Sequence, residues 1–360
     1  MIKLFKADVS VDTTYRKTLR LGESEEDTNC VYVTLNELEE DYESYIKNIL
    51  EYFRGNVNLK EFLDVDSVVP MGYYIRGIFG GEKKKGKESY AGLVFEVIGY
   101  DSVKDVYVIR LHNVNTDLEI PASELKEYWF KLIYRGEVHP FYLEKVYNVV
   151  LSKSGKSNLI RFLQKVIQLN KSKLNPVEKN MIDILINEVQ QPSRVSPLNK
   201  EKYYVIYRGK RTFSSVMIDK TSDKTIAKDE VGYLETSSKD LALYYSAILN
   251  YLAYRSIRAK LAFNRDQYER PLHAIVEVGL SWKDATEIRE TVAKLSEQIH
   301  KDAEIMFRDK SFSQEKQYFN ELDKNSKFTK LVKIIDDYIS KTIGYDELIE
   351  ILSHWVAGKS

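Results

Sequence analysis

The spacing of apolar residues changes period along the chain, and this change restricts the possible folds more than any other feature of the sequence. From about Val68 to Leu151, apolar and polar residues alternate in short runs such as YAGLVFEVIGY, VYVIRLHNV, WFKLIYRG and VYNVVL, separated by Gly, Asp, Asn and Pro. The earlier run GYYIRGIFGG has the same pattern. Alternation puts successive side chains on opposite faces of a strand, so this region predicts a mainly antiparallel sheet. Elsewhere apolar residues return every three or four positions, the spacing of one helix face. A chain using both periods reads as α+β, with mainly antiparallel sheet lobes, interspersed helices and a helical C-terminal region.

Several helices announce their own ends. Thr34 and Glu37 form a capping-box pattern ahead of Leu38, Tyr42, Tyr45, Ile46, Ile49, Leu50 and Phe53, with Gly55 as the stop. Helical spacing returns in SNLIRFLQKVIQL, and then at Asn175-Pro176-Val177-Glu178, where an Asn cap, a Pro at the first helical position and a first-turn Glu open NMIDILINEV. QQPSRVSPLNKEK reads as a linker. A capped helix is expected from Ser237, with Leu241, Tyr244, Tyr245, Ile248, Leu249 and Leu252 as its apolar stripe. LHAIVEVGL reads as a last strand, and Ile288, Val292, Leu295 and Ile299 as a short packed helical seam beyond it. The resulting division is an N-terminal segment with one long helix (1–67), a β-rich lobe (68–156), a helical linker (157–200), a second α+β lobe (201–280) and a helical region (281–360).

Composition narrows the class of function. The 54 basic and 54 acidic residues cancel, so any contact with nucleic acid must come from local patches. A single cysteine, Cys30, excludes an intramolecular disulfide framework and a cysteine-rich zinc site, and points to a reducing compartment. The opening MIKLFKADVSVDTTYRKTL lacks the apolar core of a signal peptide, and no window has the length of a membrane span, so the cytoplasm is the expected location. High Lys, Glu and Tyr with little Cys, Met and Pro is a thermophile-like composition.

The catalytic motifs fail on specific residues. VYNVVL followed by SKSGKS imitates a phosphate-binding loop ending in Gly155-Lys156-Ser157, but the position that needs the first glycine is Val150, whose side chain would obstruct a backbone nest. GEKKKGKES has the glycine spacing but carries Glu88 where a metal-binding Ser or Thr belongs. His112, His139, His273, His300 and His354 lack the spacing of a metal-ligand pair on one helix, and paired carboxylates such as Glu39 and Glu40 belong to solvated faces. No nucleophile elbow is present. No cofactor is expected.

Two basic clusters are candidate contacts for a phosphate backbone. In YYVIYRGKRTF, the aromatic residues Tyr203, Tyr204, Tyr207 and Phe213 surround Arg208, Lys210 and Arg211, with a turn expected at Arg208-Gly209-Lys210. Arg208 and Arg211 would fork onto a guanine edge or a phosphate and Lys210 would act as a point charge. The competing reading is that the aromatic residues bury and the charged tip is only wet. Lys83, Lys84, Lys85 and Lys87 form a basic finger, readable either as a backbone contact or as a solvated turn.

YYVIYRGKRTFSSVMI followed by ETSSKDLALYYSAILNYLAY resembles the target-recognition region of adenine-specific DNA methyltransferases of restriction-modification systems, in which a Tyr/Arg-rich hairpin precedes a helix ending in a Leu-Asn pair, here Leu249-Asn250. RPLHAIVEVGLSWKDATEIRETVAKLSEQIH, with Leu295, Ser296 and His300, is similar to the segment that closes that region. Upstream, IRGIFGGEKKKG, VFEVIGYD and LEIPASELKEYWFKLIYRGEVHPFYL are similar in order, so the resemblance covers about Val68 to Ala303. It implies recognition of double-stranded DNA alongside a methyltransferase or other defence-system subunit, with Tyr207, Arg208, Lys210, Arg211, Lys83, Lys84, Lys85 and Lys87 as contacts, and Arg255 and Arg258 beyond the helix as further ones. The family's glycine-rich cofactor loop and its Asn/Asp-Pro-Pro-aromatic motif are missing, since Asn175-Pro176 continues as Val177-Glu178. The resemblance therefore implies recognition without a methyltransferase or nuclease motif in this chain.

Overall fold

The computed structural model describes residues 59–69, 94–111, 114–152, 156–188, 198–210, 212–219, 224–227, 231–261, 270–310, 312 and 314–355. The helix expected over Thr34–Phe53, the GYYIRGIFGG strand, Cys30 and Lys83–Lys87 lie outside these residues.

The first half builds a sheet from β2 (Val94–Asp101), β3 (Val106–Leu111), β4 (Leu118–Pro121), β5 (Trp129–Ile133) and β8 (Tyr147–Val150), neighbouring strands running antiparallel. A helix, α2 (Ala122–Tyr128), interrupts the expected run of strands between β4 and β5. The alternation read from the sequence is visible in the burial of β3 and β4. Phe95, Ile109 and Leu111 point to one face, where Leu159, Phe162, Leu163 and Val166 of α3 (Lys156–Leu169) cover them. Val150, the residue that spoils the phosphate-loop pattern, ends β8 inside this core.

α4 (Pro176–Glu188) begins as its sequence dictates. The backbone N–H of Glu178 donates to Asn175 Oδ1 at 2.9 Å and that of Asn175 donates to Glu178 Oε2 at 3.1 Å, a reciprocal capping box. Thr116 donates to the same carboxylate from its N–H and its hydroxyl, which ties α4 to the loop before β4. These donors hold the Glu178 carboxyl below its usual range.

The second sheet has the order β1-β12-β9-β10, built from β1 (Ser67–Val69), β9 (Tyr203–Lys210), β10 (Thr212–Ile218) and β12 (Val231–Thr236). β11 (Thr225–Ala227) leaves this neighbourhood and lies parallel to β5, pairing Ile226 with Leu132, as the sixth strand of the first sheet. β1 makes the opposite exchange, pairing Ser67 with Glu235 of β12. Strands therefore cross the sequence boundary near residue 200 in both directions.

α5 (Lys239–Arg258) is the centre of the molecule. The Ser238 hydroxyl caps it by accepting the Leu241 N–H at 3.2 Å, and residues from Leu241 to Ala253 are buried on every side of the helix. A helix buried all round must be enclosed. One side packs on β9 and β10, and the rest is covered by α6 (Arg270–Glu277), α7 (Arg289–Phe307) and α10 (Tyr345–Trp355). α8 (Glu315–Leu322) and α9 (Ser326–Thr342) complete the helical C-terminal region. The seam residues Val292 and Ile299 are fully buried, with Ile288 and Leu295 nearly so.

The segment LHAIVEVGL, expected as a strand, is the helix α6. Pro271 sits just inside its start, and Gly279, at φ +72°, just past its end, where Leu280 N–H closes back on Ile275 at 2.9 Å. These start and stop signals, with burial against α5 and α10, override the strand preference of its β-branched residues.

Candidate nucleic-acid interface

β9 is a central strand with both faces buried. Tyr204 and Ile206 pack into one core, and Val205 and Tyr207 into the other, against α5. Tyr207 is fully buried and its ring lies directly over Gly232 of β12, its cross-strand partner. A Cβ at Gly232 would meet Tyr207 Cζ at 2.4 Å, so the glycine is required by the close approach of that ring. Tyr207 is thus placed as a packing residue away from the surface on which a base would stack.

β9 and β10 form the expected hairpin, but the reversal is later than the sequence suggested. Thr212 pairs with Lys210, Ser214 with Arg208 and Ile218 with Tyr204, so Arg208 and Gly209 lie within the strand and the two strands are paired up to Lys210 and Thr212. Arg211 and the side chain of Lys210 lie outside the described residues. β12 pairs with β9 only as far as Val231 opposite Arg208. Beyond that point the sheet, among the described residues, is two strands wide.

The open edge of β10 is closed by side chains from two helices. Ser215 donates its N–H to Asn250 Oδ1 of α5 at 2.9 Å, and Asn250 Nδ2 donates to the Ser215 carbonyl at 2.8 Å. Phe141, held at φ +59° between β6 (Val138–His139) and β7 (Tyr142–Leu143), donates its N–H to the same carbonyl at 2.9 Å. Two residues along, the Met217 N–H donates to His300 Nε2 of α7 at 3.0 Å, while His300 Nδ1 donates to the Ser296 carbonyl at 2.8 Å. His300 is therefore a neutral imidazole with a fixed tautomer, and burial pushes its pKa down to about 4. Asn170 treats the other sheet's edge strand alike, accepting from Glu119 N–H and donating to its carbonyl, both at 2.9 Å. Sealing of this kind protects an edge from pairing with other chains.

Of the arginines singled out in the sequence, Arg208, Arg255 and Arg258 are engaged in ion pairs. Arg208 is bound by Glu315 in the first turn of α8, a residue only 3% exposed. Beside it, His139 lies 2.9 Å from Glu144 and 3.6 Å from Glu315, with its ring stacked on Tyr318 at 4.2 Å. Burial, reinforced by the positive charge of Arg208, pushes the His139 imidazole down to about 3. Arg255 and Arg258 lie in the last turn of α5, within the helix, instead of beyond it. Arg255 is paired with Asp336 of α9, which also accepts the Tyr251 hydroxyl at 2.8 Å, and Arg258 is paired with Asp323 after α8. These contacts staple α5 to the C-terminal helices.

Nothing in the sequence marks Glu315 as functional, and Asn250 and His300 stand out there only through the resemblance and, for His300, the histidine spacing. Their available signal was a polar residue inside an apolar helix face, which buries only when its hydrogen bonds are satisfied. Among the described residues, no three His, Cys, Asp or Glu side chains gather as a metal site requires, and no helix is long and apolar enough to cross a membrane.

No family model and no curated protein matches the chain. Among solved structures, 65% of the chain is similar to the Type IIL restriction-modification enzyme MmeI, described in complex with DNA, at 11% identity and a TM-score of 0.26. The chain spans 31% of that enzyme's length.

Proposed function

We propose that this chain recognises double-stranded DNA without itself modifying it, and works beside an adenine-specific DNA methyltransferase or another defence-system subunit that carries the chemistry. The observation that supports this most is the β9–β10 hairpin, which among the described residues pairs on past Val231 of the third strand, toward the basic Lys210-Arg211 of the sequence, while its other end is fastened to buried helices. A two-stranded ribbon fits the major groove, and cations on such a ribbon meet phosphates or base edges. Lys83, Lys84, Lys85 and Lys87 would add contacts to the backbone. Arg208, Arg255 and Arg258 would serve mainly by fixing the hairpin and α5 in place, because reaching DNA would require them to leave their carboxylates.

Binding of the intact chain to duplex DNA across about 50 to 200 mM salt tests this reading, which expects affinity to fall steeply as salt rises. Absence of duplex binding, or binding indifferent to salt, would overturn it. The ion-paired state of Arg208, Arg255 and Arg258 favours a second reading, a protein-interaction module built on the same fold, and that negative result would select it.

A further inference from the structure

Arg208, Arg255 and Arg258 face different obstacles to leaving their carboxylates. The side chains of Asp336 and Asp323, which hold Arg255 and Arg258, are 31% and 32% exposed, so water can solvate them once released. Glu315, which holds Arg208, is 3% exposed, and a carboxylate buried to that degree is strongly disfavoured without a cation. Any movement of Arg208 therefore calls for a replacement cation at Glu315. His139, between Glu144 and Glu315 and stacked on Tyr318, stands beside it. Its Nε2 lies 2.9 Å from Glu144 Oε2, which accepts when ionised, so in the neutral imidazole Nε2 carries the hydrogen and Nδ1 is bare. That bare Nδ1 lies 3.6 Å from Glu315 Oε1 and has no hydrogen bond among the described residues. A lone pair facing a carboxylate oxygen is repulsive, and a proton on Nδ1 would make the contact attractive.

The charges that face His139 are Glu144 after β7, Arg208 on β9 and Glu315 on α8, with the rings of Tyr142 and Tyr318 beside it. With Arg208 in place and the imidazole neutral, the cluster carries one net negative charge. Without Arg208 it carries two, and an imidazolium restores the first state. Burial and then the positive charge of Arg208 keep the imidazole neutral, so departure of the arginine removes the second cause while leaving Glu315 in need of a cation. We propose that His139 is a reserve cation for Glu315, taking up a proton on Nδ1 when Arg208 exchanges that carboxylate for a DNA phosphate. The phosphate rests on the DNA-recognition reading, whereas the exchange of cations at Glu315 stands apart from it. DNA binding and proton uptake would then be linked, each favouring the other.

The test follows the His139 ring by carbon chemical shift in histidine-labelled protein, with His139→Gln identifying its signal. In the parent chain the ring should stay neutral down to the acid limit of the fold. In Arg208→Gln it should titrate above about 5.5, toward the ordinary imidazole range, and in Arg208→Gln with Glu315→Gln it should fall back below that value. A ring that stays neutral in Arg208→Gln, the proton going to Glu315 itself, overturns the assignment. So does an Arg208→Gln protein unfolded at about pH 7.5 and at about pH 5 alike, because the reserve cation should restore the fold in acid. Duplex binding is then measured by calorimetry at about pH 5.5 in two buffers of different ionisation enthalpy, which reads proton uptake. Net uptake by the parent protein and none by His139→Gln is expected. Duplex binding with equal uptake by both proteins shows that Arg208 stays on Glu315, which overturns the link to DNA and leaves the DNA reading intact. No duplex binding by the parent overturns the DNA reading, and the ring titration alone then decides the exchange of cations.

Discussion

Asn250, in the middle of α5, holds both backbone polar groups of Ser215 in β10, accepting from its N–H at 2.9 Å and donating to its carbonyl at 2.8 Å. The residue is fully buried, so a helix side chain here takes the place of a neighbouring strand. Replacing it by Leu keeps the volume but strands a buried N–H. Asn250→Leu is expected to lower unfolding free energy by about 2–3 kcal/mol in urea denaturation. A loss below about 0.5 kcal/mol, the size of an ordinary surface change, would show that the edge is not held this way.

The pair between Arg208 and Glu315 joins the hairpin to α8 across 107 residues of sequence. Arg208→Ala deprives a carboxylate that is 3% exposed of its cation, and a loss of about 3–5 kcal/mol follows. Arg208→Ala with Glu315→Gln removes the buried charge as well and should recover a large part of that loss. Additive losses in this double-mutant cycle would contradict the coupling.

Acid should weaken the fold before most carboxylates titrate. The folded-state pKa of His300, about 4, lies below its ordinary value of 6.5, so the unfolded chain takes up the proton first. The stability carried by this group is complete above pH 6.5 and is lost as pH falls from there to about 4, amounting to roughly 3 kcal/mol. His139, lowered to about 3, acts with the same sign over a slightly wider window. Melting temperature followed from pH 7 to pH 4 should fall, and His300→Gln should flatten part of the slope. An unchanged slope in that variant would show that His300 is not the titrating group.

Legibility in the sequence followed locality. The Asn175-Pro176-Val177-Glu178 start of α4, the capped buried helix and the β9–β10 hairpin depend on neighbours in sequence, and each forms, with the helix cap one residue and the hairpin reversal a few residues later than expected. α6 was misread because a short buried apolar run looks alike in a strand and a helix. The exchange of β1 and β11 between the sheets joins residues far apart in the chain, for which periodicity has no signal. Among the site residues, the carboxylates that engage Arg208, Arg255 and Arg258 had no local signal, because they come from chain folded back from beyond residue 314.

Gly232 and Tyr207 give a further packing test. Gly232→Ala sets a methyl group against the Tyr207 ring in a closed core and should destabilise the protein by about 1–3 kcal/mol. Tyr207→Val in the same chain makes room for that methyl, so the double variant should lose less than the two single losses combined. Additive thermal shifts would show that the two residues do not share this space.

The central claim, DNA recognition through the hairpin end, is tested most directly by duplex affinity of the Lys210→Ala, Arg211→Ala double variant measured against salt. The account predicts at least a tenfold loss, about 1.4 kcal/mol, and a salt slope reduced by about 2, with the melting temperature unchanged. Affinity within twofold of the parent protein, with the same salt slope, would contradict it.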